Sequence, residues 1–224
     1  MRVTFVPDDE PDDEAVARVG LLLALRKRGL RDPALMRAFE QVPRERFVPR
    51  ALRALAATDQ ALPIECGQTI SQPTLVALIT EALDLTGAHT VLEVGTGSGY
   101  HAAILGRLAA HVTSLERFRT LARDARERLA RLDIGNVEVV VADGRLGYPP
   151  HAPYDRIVVN AAVEDVPKPL FAQLAEGGIL VAPVGPASET QMLMRYGRSS
   201  GAIVARELFP VRFVPLLAGT AAVL

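Results

Sequence analysis

The sequence predicts an α/β fold in which a doubly wound, mostly parallel sheet carries an antiparallel C-terminal edge and N-terminal helical additions. Three observations support this prediction. Short apolar runs typical of buried strands alternate with helical segments from Thr90 onward, which indicates right-handed βαβ units. Two later strand-like runs flank a turn at residues 197–201, which indicates a hairpin and hence an antiparallel edge. The first third of the chain contains no strand pattern.

Length and composition limit the class of protein. The 224 residues include 25 Lys+Arg and 26 Asp+Glu, and 49% of them are hydrophobic. This length suits one domain, which we divide into an N-terminal helical addition (residues 1–66) and a cofactor-binding, catalytic α/β core (residues 67–224). The formal net charge of -1 excludes a protein held on nucleic acid by charge alone. No apolar run approaches the roughly 20 residues of a membrane span. We therefore expect a soluble, cytoplasmic protein without a nucleic-acid or membrane partner. We also expect a monomer, although composition does not determine the oligomeric state.

The N-terminal segments are predicted to be helices with recognisable ends. An acidic stretch at residues 8–14 is interpreted as a solvated tail that leads into a helix over residues 14–28, which ends at Gly29. Asp32 is expected to cap a second helix, because a proline follows at the first helical position. Short helical turns continue to about Ala57. The residues predicted to form the apolar face of the first helix are Val16, Val19, Leu22 and Leu23.

The elements after residue 90 are assigned from apolar runs, amphipathic periodicity and turn residues. The predicted strands occupy residues 90–94, 112–115, 137–142, 156–159 and 178–183. The predicted helices occupy residues 100–110, 118–132 and 170–174. The two hairpin strands are predicted at residues 191–196 and 203–208. In a parallel sheet the carboxyl ends of the strands meet at one edge, where open α/β folds bind their ligands.

A glycine-rich turn joins the first predicted strand of the sheet to the helix after it. Gly95, Gly97 and Gly99 lie on alternate positions, which allows a sharp turn and a close approach of a ligand to the backbone. The spacing differs from the G-x-G-x-x-G pattern of dinucleotide sites, which must hold a pyrophosphate at the helix start. It fits a nucleoside–sulfonium cofactor, which has no pyrophosphate. The alternative is a tight strand-to-helix connection that binds nothing.

Acidic residues stand at the ends of the next two strands. Glu116 ends the second strand, where a carboxylate can accept hydrogen bonds from both hydroxyls of a ribose. Asp143 follows the third strand and is interpreted as the acceptor for an adenine amino group, with Gly144 allowing the chain to turn past the ring. Glu93, inside the first strand, is expected to order the glycine loop and to balance a cationic ligand. The alternative for Glu116 is a solvated surface acid, and the alternative for Asp143 is a simple Asp-Gly turn. Together these positions indicate an adenosine moiety.

These residues resemble the motifs of known enzymes. Residues 91–100 (Val-Leu-Glu-Val-Gly-Thr-Gly-Ser-Gly-Tyr) look like the first motif of class I S-adenosylmethionine-dependent methyltransferases, which have a Rossmann-like fold. Residues 67–73 (Gly-Gln-Thr-Ile-Ser-Gln-Pro) look like the signature of the protein-L-isoaspartate (D-aspartate) O-methyltransferase family. The resemblance covers about residues 20–217 and includes residues 42–49, 177–185 and 211–216.

The resemblance implies methyl transfer from S-adenosylmethionine to the free carboxylate of L-isoaspartyl and D-aspartyl residues in damaged peptides and proteins. The methyl ester then closes to a succinimide without further catalysis, and hydrolysis of the ring returns some normal aspartate. The acceptor carboxylate is already ionised at neutral pH, so the reaction requires no general base. Proximity and in-line alignment can supply much of the rate.

The resemblance also implies a set of site residues. Ser71 receives a catalytic role, and together with Thr69 it is expected to orient the substrate carboxylate, while Val214 is a further substrate contact. An alternative or additional role for Ser71 is to cap a helix ahead of Pro73. No metal is expected. The expected cofactor-binding residues are Thr69, Ile70, Glu93, Gly95, Thr96, Gly97, Ser98, Gly99, Glu116, Arg117, Asp143 and Gly144.

Two other functions remain open at the level of the sequence. One is a methyltransferase of the same fold that acts on a small carboxylic acid or on RNA, and Asn160 and Leu217 depart from the family pattern on the substrate side. The other is a non-catalytic module that binds the cofactor or a partner. Cys66 has no partner histidine in any matching motif, which argues against a nucleophile. The histidines without metal-ligand spacing are His89, His101, His111 and His151.

Overall fold

The computed structural model describes residues 13–222, without the side chains of residues 13–15 and 17. Most of the acidic stretch at residues 8–14 therefore lies outside the described residues. The helices are α1 (Asp13–Lys27), α2 (Pro33–Gln41), α3 (Pro73–Ala82), α4 (Tyr100–Leu108), α5 (Arg119–Arg131) and α6 (Lys168–Ala172). The strands are β1 (Leu62–Pro63), β2 (Thr69–Ile70), β3 (Thr90–Val94), β4 (His111–Glu116), β5 (Val137–Val141), β6 (Tyr154–Val159), β7 (Leu174–Val184), β8 (Gln191–Ser199) and β9 (Ala202–Val211). Short 3₁₀ turns occupy Arg44–Arg46, Arg50–Leu55, Gly144–Leu146 and Pro149–His151.

The main sheet has seven strands in the order β5-β4-β3-β6-β7-β8-β9. Strands β3 to β7 pair in parallel, whereas β8 pairs antiparallel with both β7 and β9. The prediction of a mostly parallel sheet with an antiparallel C-terminal edge is thus confirmed. The chain runs outward from β3 to β5 and then returns to β6 on the other side of β3. Open α/β sheets bind ligands at such a reversal, outside the carboxyl ends of the strands.

The predicted strands and helices of the sheet region all occur, with shifts at their ends. Strand β3 has the predicted bounds, and β7 shows the largest difference among the parallel strands because it begins at Leu174 rather than at residue 178. Leu174 pairs with Tyr154, and the register shifts before the next pair, Arg156 with Ile179. The glycines and the glutamate between these pairs do not form an apolar run, so pairing with β6 extends the strand where local propensity does not.

The predicted helix ends near the N-terminus are confirmed. Gly29 has a φ of +96°, which a glycine adopts without strain, and the following N–H of Leu30 closes the helix on the carbonyl of Leu25. The carboxylate of Asp32 accepts hydrogen bonds from the N–H groups of Ala34 (2.7 Å) and Leu35 (3.3 Å). Asp32 therefore caps α2 as predicted.

The predicted apolar face of α1 is wrong for three of its four residues, and only Leu22, which is half-buried, packs against the core. Val16, Val19 and Leu23 are 52%, 56% and 51% exposed, whereas Leu21 and Leu25 are buried. Apolar residues occur nearly all around the C-terminal half of this helix, so periodicity alone does not select one face. The contacts with α2 and α3 decide which face is buried.

The N-terminal third also contains elements that the sequence analysis did not predict. The two-residue strands β1 and β2 pair antiparallel, with Leu62 opposite Ile70 and Pro63 opposite Thr69. Strands this short leave no alternating pattern, so the expectation that this region has no strand was wrong. Helix α3, which the sequence analysis gave only as an alternative, begins at Pro73 and packs against α1 and α2.

The apolar core covers both faces of the sheet. One cluster joins the N-terminal helices to α4 and α5 and includes Leu25, Phe39, Tyr100 and Leu121. A second cluster lies on the face of the sheet that carries the side chain of Leu92, and a third packs α3 and α4 against the opposite face. Within the part of the chain that the structure describes, no helix combines the length and the apolar composition that crossing a membrane requires.

Candidate active site

The glycine loop connects β3 to α4 in a conformation that requires glycine. Gly95, Gly97 and Gly99 have φ values of +96°, +54° and +89°. The N–H of Gly95 donates to the carbonyl of Leu115 at 2.8 Å, which ties the loop to the end of β4. A Cβ atom on Gly99 would lie 3.1 Å from the Cβ of Ala125, so α5 packs directly against the loop.

A cleft lies beside this loop at the carboxyl ends of β3, β4 and β5. Open α/β sheets bind their ligands at this edge. Most of the predicted site residues line the cleft, but Glu93, Gly99 and Asp143 do not. The predicted residues that line it are Thr69, Ile70, Ser71, Gly95, Thr96, Gly97, Ser98, Glu116, Arg117, Gly144 and Val214.

Glu116 is a buried acid in the wall of the cleft, and its burial contradicts the alternative of a solvated surface acid. Its Oε2 accepts a hydrogen bond from the N–H of Gly97 at 2.8 Å, and its Oε1 accepts one from the N–H of Phe118 at 2.9 Å. Burial raises the pKa of Glu116, while these N–H groups and the Arg117 guanidinium act in the opposite direction. Each carboxylate oxygen retains a further lone pair with which it could accept a hydroxyl of a ligand.

Glu93 lies directly beneath the loop and is fully buried. Its carboxylate accepts hydrogen bonds from the hydroxyl of Ser114 and from Nδ2 of Asn160, the latter at 2.9 Å. The hydroxyl of Ser114 also contacts that of Thr96, which lines the cleft. Burial raises the pKa of Glu93 to about 8, and the nearby charge of Glu116 acts in the same direction. Glu93 therefore reaches the cleft through Thr96 and Asn160 rather than directly.

His101 completes this buried network. The hydroxyl of Thr80 donates to the carbonyl of Val76 at 2.7 Å, so it accepts a hydrogen bond from Nε2–H of His101 at 3.0 Å. The Nδ1 atom of His101 can then accept from Nδ2 of Asn160 at 3.1 Å, and the second amide proton of Asn160 goes to Glu93. Burial lowers the pKa of His101 to about 4, so the ring is neutral at physiological pH. Asn160, a departure from the family pattern, is thus held by two buried partners.

Ser71 lies between β2 and α3 and is held through its backbone. The carbonyl of Ser71 accepts a hydrogen bond from Nη2 of Arg44 at 3.0 Å. The same buried guanidinium donates to the carbonyls of Ala56 (2.8 Å) and Gln60 (2.9 Å). Arg44 therefore joins three separate loop segments at the position of Ser71.

The interpretation of Ser71 as a helix cap is wrong. The N-cap of α3 is Gln72, and no side-chain oxygen of the cap itself bonds to the helix. Asp59 takes this role from a distant loop, because its two oxygens accept from the N–H of Thr74 at 2.9 Å and from the Thr74 hydroxyl at 2.8 Å. The Ser71 side chain is therefore not needed to begin the helix.

A second cleft adjoins the first on the side of β9. Thr69, Ser71, Asn160 and Val214 line both clefts, so these four residues stand where the two meet. The segment that carries Val214 is fixed because its carbonyl accepts from the N–H of Ala162 at 2.7 Å. The outer walls of the second cleft include Arg28 and the segment from Phe209 to Phe213.

Asp143 stands beside the first cleft rather than in its lining, which here comprises Ala142 and Gly144. Its Oδ1 accepts from the N–H of Arg145 at 3.0 Å, and its Oδ2 accepts from the N–H of Gly219 at 2.7 Å. The C-terminal segment continues from Gly219 along the start of α5, where Ala221 exchanges two backbone hydrogen bonds with residues 117 and 119. The role of Asp143 toward an adenine stays a prediction.

Sequence reasoning did not identify the residues that position the site from a distance. Arg44 belongs to one of the stretches that resemble the family, but its hydrogen-bond partners lie 12 to 27 residues further along the chain. Asp59 caps a helix 15 residues away. In the sequence, the only signals are an arginine within a stretch that resembles the family and an aspartate without a helix directly after it. Neither signal reveals the hydrogen-bond partners.

The comparisons with known proteins agree on one family. The family model described as protein-L-isoaspartate(D-aspartate) O-methyltransferase matches residues 17–221. The protein-L-isoaspartate O-methyltransferase of Azorhizobium caulinodans is 51% identical over 215 residues, which are 96% of this chain and 99% of that relative. The enzyme of the same name from Xanthobacter autotrophicus is 52% identical over 96% of this chain and 98% of its own length.

Solved structures give the same result. A protein-L-isoaspartate O-methyltransferase structure superposes with a TM-score of 0.80 at 33% identity, and the match covers 88% of this chain and 65% of that one. A Plasmodium falciparum structure described as the same enzyme in complex with S-adenosyl-L-homocysteine gives a TM-score of 0.79 at 26% identity, over 92% of this chain and 99% of that one. The chain therefore belongs to the protein-L-isoaspartate (D-aspartate) O-methyltransferase family of S-adenosylmethionine-dependent methyltransferases.

Proposed function

We propose that this enzyme transfers the methyl group of S-adenosylmethionine to the free carboxylate of L-isoaspartyl and D-aspartyl residues in damaged proteins, and so begins their repair through a succinimide. The observation that carries this proposal is the junction of the two clefts. The glycine loop and Glu116 lie on one side of it, and the segment that contains Ser71 separates them from the second cleft, in which we place the peptide. A donor in the first cleft and an acceptor in the second would meet at this junction.

The residues of the first cleft fit an S-adenosylmethionine molecule. The two oxygens of Glu116 are fixed by backbone N–H groups and keep lone pairs for two ribose hydroxyls. Gly95 and Gly97 leave open backbone at the place where the methionine part would lie. When bound, the cofactor supplies an electrophilic methyl carbon on a positively charged sulfur. Burial raises the pKa of Glu93 to about 8 in the chain without ligand, and the positive charge of a bound cofactor would lower this pKa, so that Glu93 supplies the balancing negative charge in the complex.

For this reaction the protein has to align the two reactants and does not have to transfer a proton. A carboxylate oxygen of the acceptor forms a bond to the methyl carbon while the carbon–sulfur bond breaks, and its electron pair remains on the sulfur of S-adenosyl-L-homocysteine. No proton moves in this step, because the acceptor is already ionised at neutral pH. We assign the orientation of the acceptor carboxylate to Ser71 and Thr69, and a packing contact with the substrate backbone to Val214. Alignment of two bound reactants is a large source of rate in such displacements.

We further propose that residues 1–66 and 67–224 act as a single functional domain, and that the enzyme works as a cytoplasmic monomer without nucleic acid. The shared apolar cluster of the N-terminal helices and α4 supports the first part. The net charge of -1 supports the absence of a nucleic-acid partner, and a single cysteine suits a reducing compartment. Light scattering of the purified protein and fractionation of cells test the oligomeric state and the location.

The test of the function uses methyl-labelled S-adenosylmethionine and two peptides that differ only in one residue, isoaspartate or aspartate. We expect base-labile label on the isoaspartyl peptide alone. Label on both peptides, or only on a small carboxylic acid or RNA, would point to another acceptor, and label on none would point to a binding module. In the Ser71→Ala variant we expect slower labelling with unchanged cofactor affinity, whereas Ser199→Ala, on the exposed end of β8, should behave as the wild type.

A further inference from the structure

Three side chains from distant parts of the chain meet at the end of the sheet opposite the active site. His111 begins β4, Glu138 is the second residue of β5, and His151 ends the 3₁₀ turn before β6. One ring nitrogen of each histidine and one carboxylate oxygen lie within 4.8 Å of one another. The Nδ1 atom of His151 lies 3.6 Å from Oε2 of Glu138. None of the three residues lines either cleft of the active site.

The sheet register brings this cluster together. Glu138 pairs with Thr113 across the parallel strands β4 and β5. His111 and Thr113 are two residues apart on one strand, so their side chains project on the same face as Glu138. The hydroxyl of buried Thr113 lies 3.0 Å from Nδ1 of His151, which places this ring over the two strands. An ion bound at Nδ1 would replace this hydrogen bond. The arrangement is thus set by strand pairing, although the three residues lack the spacing of a linear zinc motif.

We propose that His111, Glu138 and His151 bind a divalent first-row transition metal ion, with Zn²⁺ as the representative ion. Two imidazoles and one carboxylate are a ligand set that zinc takes, with water in the fourth position. In tetrahedral zinc sites the ligand atoms lie about 2.0–2.2 Å from the metal and hence about 3.3 Å from one another. The distance between His151 and Glu138 is already close to this value.

The remaining distance can close by rotation of side chains. The side chains of Glu138 and His151 are 46% and 37% exposed, so both can adjust without disturbing the core, and an ion can enter from solvent. The ion would join β5, an edge strand of the sheet, to the connection that precedes β6. Because the cluster lies at the amino ends of the strands, we assign the ion a stabilising role rather than a catalytic one.

The experiment compares zinc binding by three full-length, untagged proteins: the wild type, the double variant His111→Gln/His151→Gln, and His89→Gln as the matched control. His89 is a half-buried histidine outside the cluster. Equilibrium dialysis against micromolar Zn²⁺ should give about one ion per chain for the wild type and the control, and none above background for the double variant. Added Zn²⁺ should raise the Tm of the first two proteins only. Bound Co²⁺ should give the visible absorption of a nitrogen–oxygen site in the same two proteins.

Two results would overturn the proposal. Equal zinc binding by all three proteins would place the ion elsewhere, and no binding by the wild type would leave only a direct contact between His151 and Glu138. Loss of that contact would lower the Tm of the double variant by the same amount with and without Zn²⁺. Methyl transfer to the isoaspartyl peptide, measured in parallel, should be unchanged in the double variant, so this test is independent of the proposed function.

Discussion

The cofactor side of the active site and its acceptor side hold their polar groups in different ways. On the cofactor side, the glycine loop directly follows β3, and Glu116 at the end of the neighbouring strand accepts the N–H groups of Gly97 and Phe118. On the acceptor side, Ser71 is held by Arg44, and the helix after it is held by Asp59, a residue from another loop.

This difference determines how each side responds to substitutions and how much of it can be predicted from the sequence. The cofactor side depends on backbone conformation and on acids that are buried at strand ends, so one substitution there disturbs the ligand contacts themselves. The acceptor side depends on hydrogen bonds between loops, so its residues can be displaced while the sheet and the cofactor contacts remain. Four variants test whether the two sides are independent, and their expected effects, compared at one pH or per unit of pH, decrease in the order given.

The variant Glu116→Ala should have the largest effect, because it removes two ribose acceptors and leaves the N–H groups of Gly97 and Phe118 without their partner. Hydrogen bonds to a charged group contribute roughly 1.5–3 kcal/mol each, so cofactor affinity should fall by more than a hundredfold. Calorimetric titration with S-adenosyl-L-homocysteine measures this. Glu127→Ala, on the exposed face of α5, is the control. An affinity within a few-fold of wild type would show that the ribose lies elsewhere.

Gly144→Ala should destabilise the fold on the cofactor side. An added Cβ would lie 2.3 Å from Cγ1 of buried Val94, at the end of β3. Overpacking of this kind costs about 1–3 kcal/mol in the free energy of unfolding. Urea denaturation should show the loss, whereas Gly135→Ala, where no atom lies within 4 Å of the new Cβ, should not. Equal stability of the two variants would mean that β3 shifts easily at its end.

Arg44→Lys should separate the two sides. A lysine lacks the planar guanidinium group, so it cannot donate hydrogen bonds to the carbonyls of Ala56, Gln60 and Ser71 together. Loss of one charge-assisted hydrogen bond at Ser71 should raise the KM for an isoaspartyl peptide about tenfold, while the Kd for the cofactor stays unchanged. Arg53→Lys, an exposed position nearby, is the matched control. A parallel loss of cofactor affinity would show that the two sides are not independent.

Glu93→Gln should alter the pH dependence of stability. Burial raises the pKa of Glu93 to about 8 in the folded chain, against an ordinary value of 4.5. The folded state thus binds more protons than the unfolded state between these values, so its stability is full below pH 4.5 and is lost as pH rises toward 8. Relative to Glu93→Gln, the wild type should lose at most about 1.4 kcal/mol per pH unit over this range. Urea denaturation from pH 5 to 8 measures this, and parallel curves would show that Glu93 is ionised when folded.

Much of the fold and of the cofactor side could be predicted because their signals are local. The bounds of β3, the cap at Asp32 and the loop of three glycines follow from neighbouring residues in the chain. The face of α1 could not be predicted in this way, because its apolar residues surround the helix and contacts with α2 and α3 select the buried ones. The grouping of His111, Glu138 and His151 has no linear signal at all, since it depends on the register between β4 and β5.

The amino-acid sequence was enough to predict the succession of strands and helices after residue 90, the family, and the sharp turn of the glycine loop. These depend on periodicity, on turn residues and on positive φ angles, which are properties of a few adjacent residues. Packing of distant segments is what brings Arg44 to Ser71, Asp59 to the start of α3, and Asn160 between Glu93 and His101. Buried polar groups must find hydrogen-bond partners, and the packing of the whole chain decides which distant groups these are.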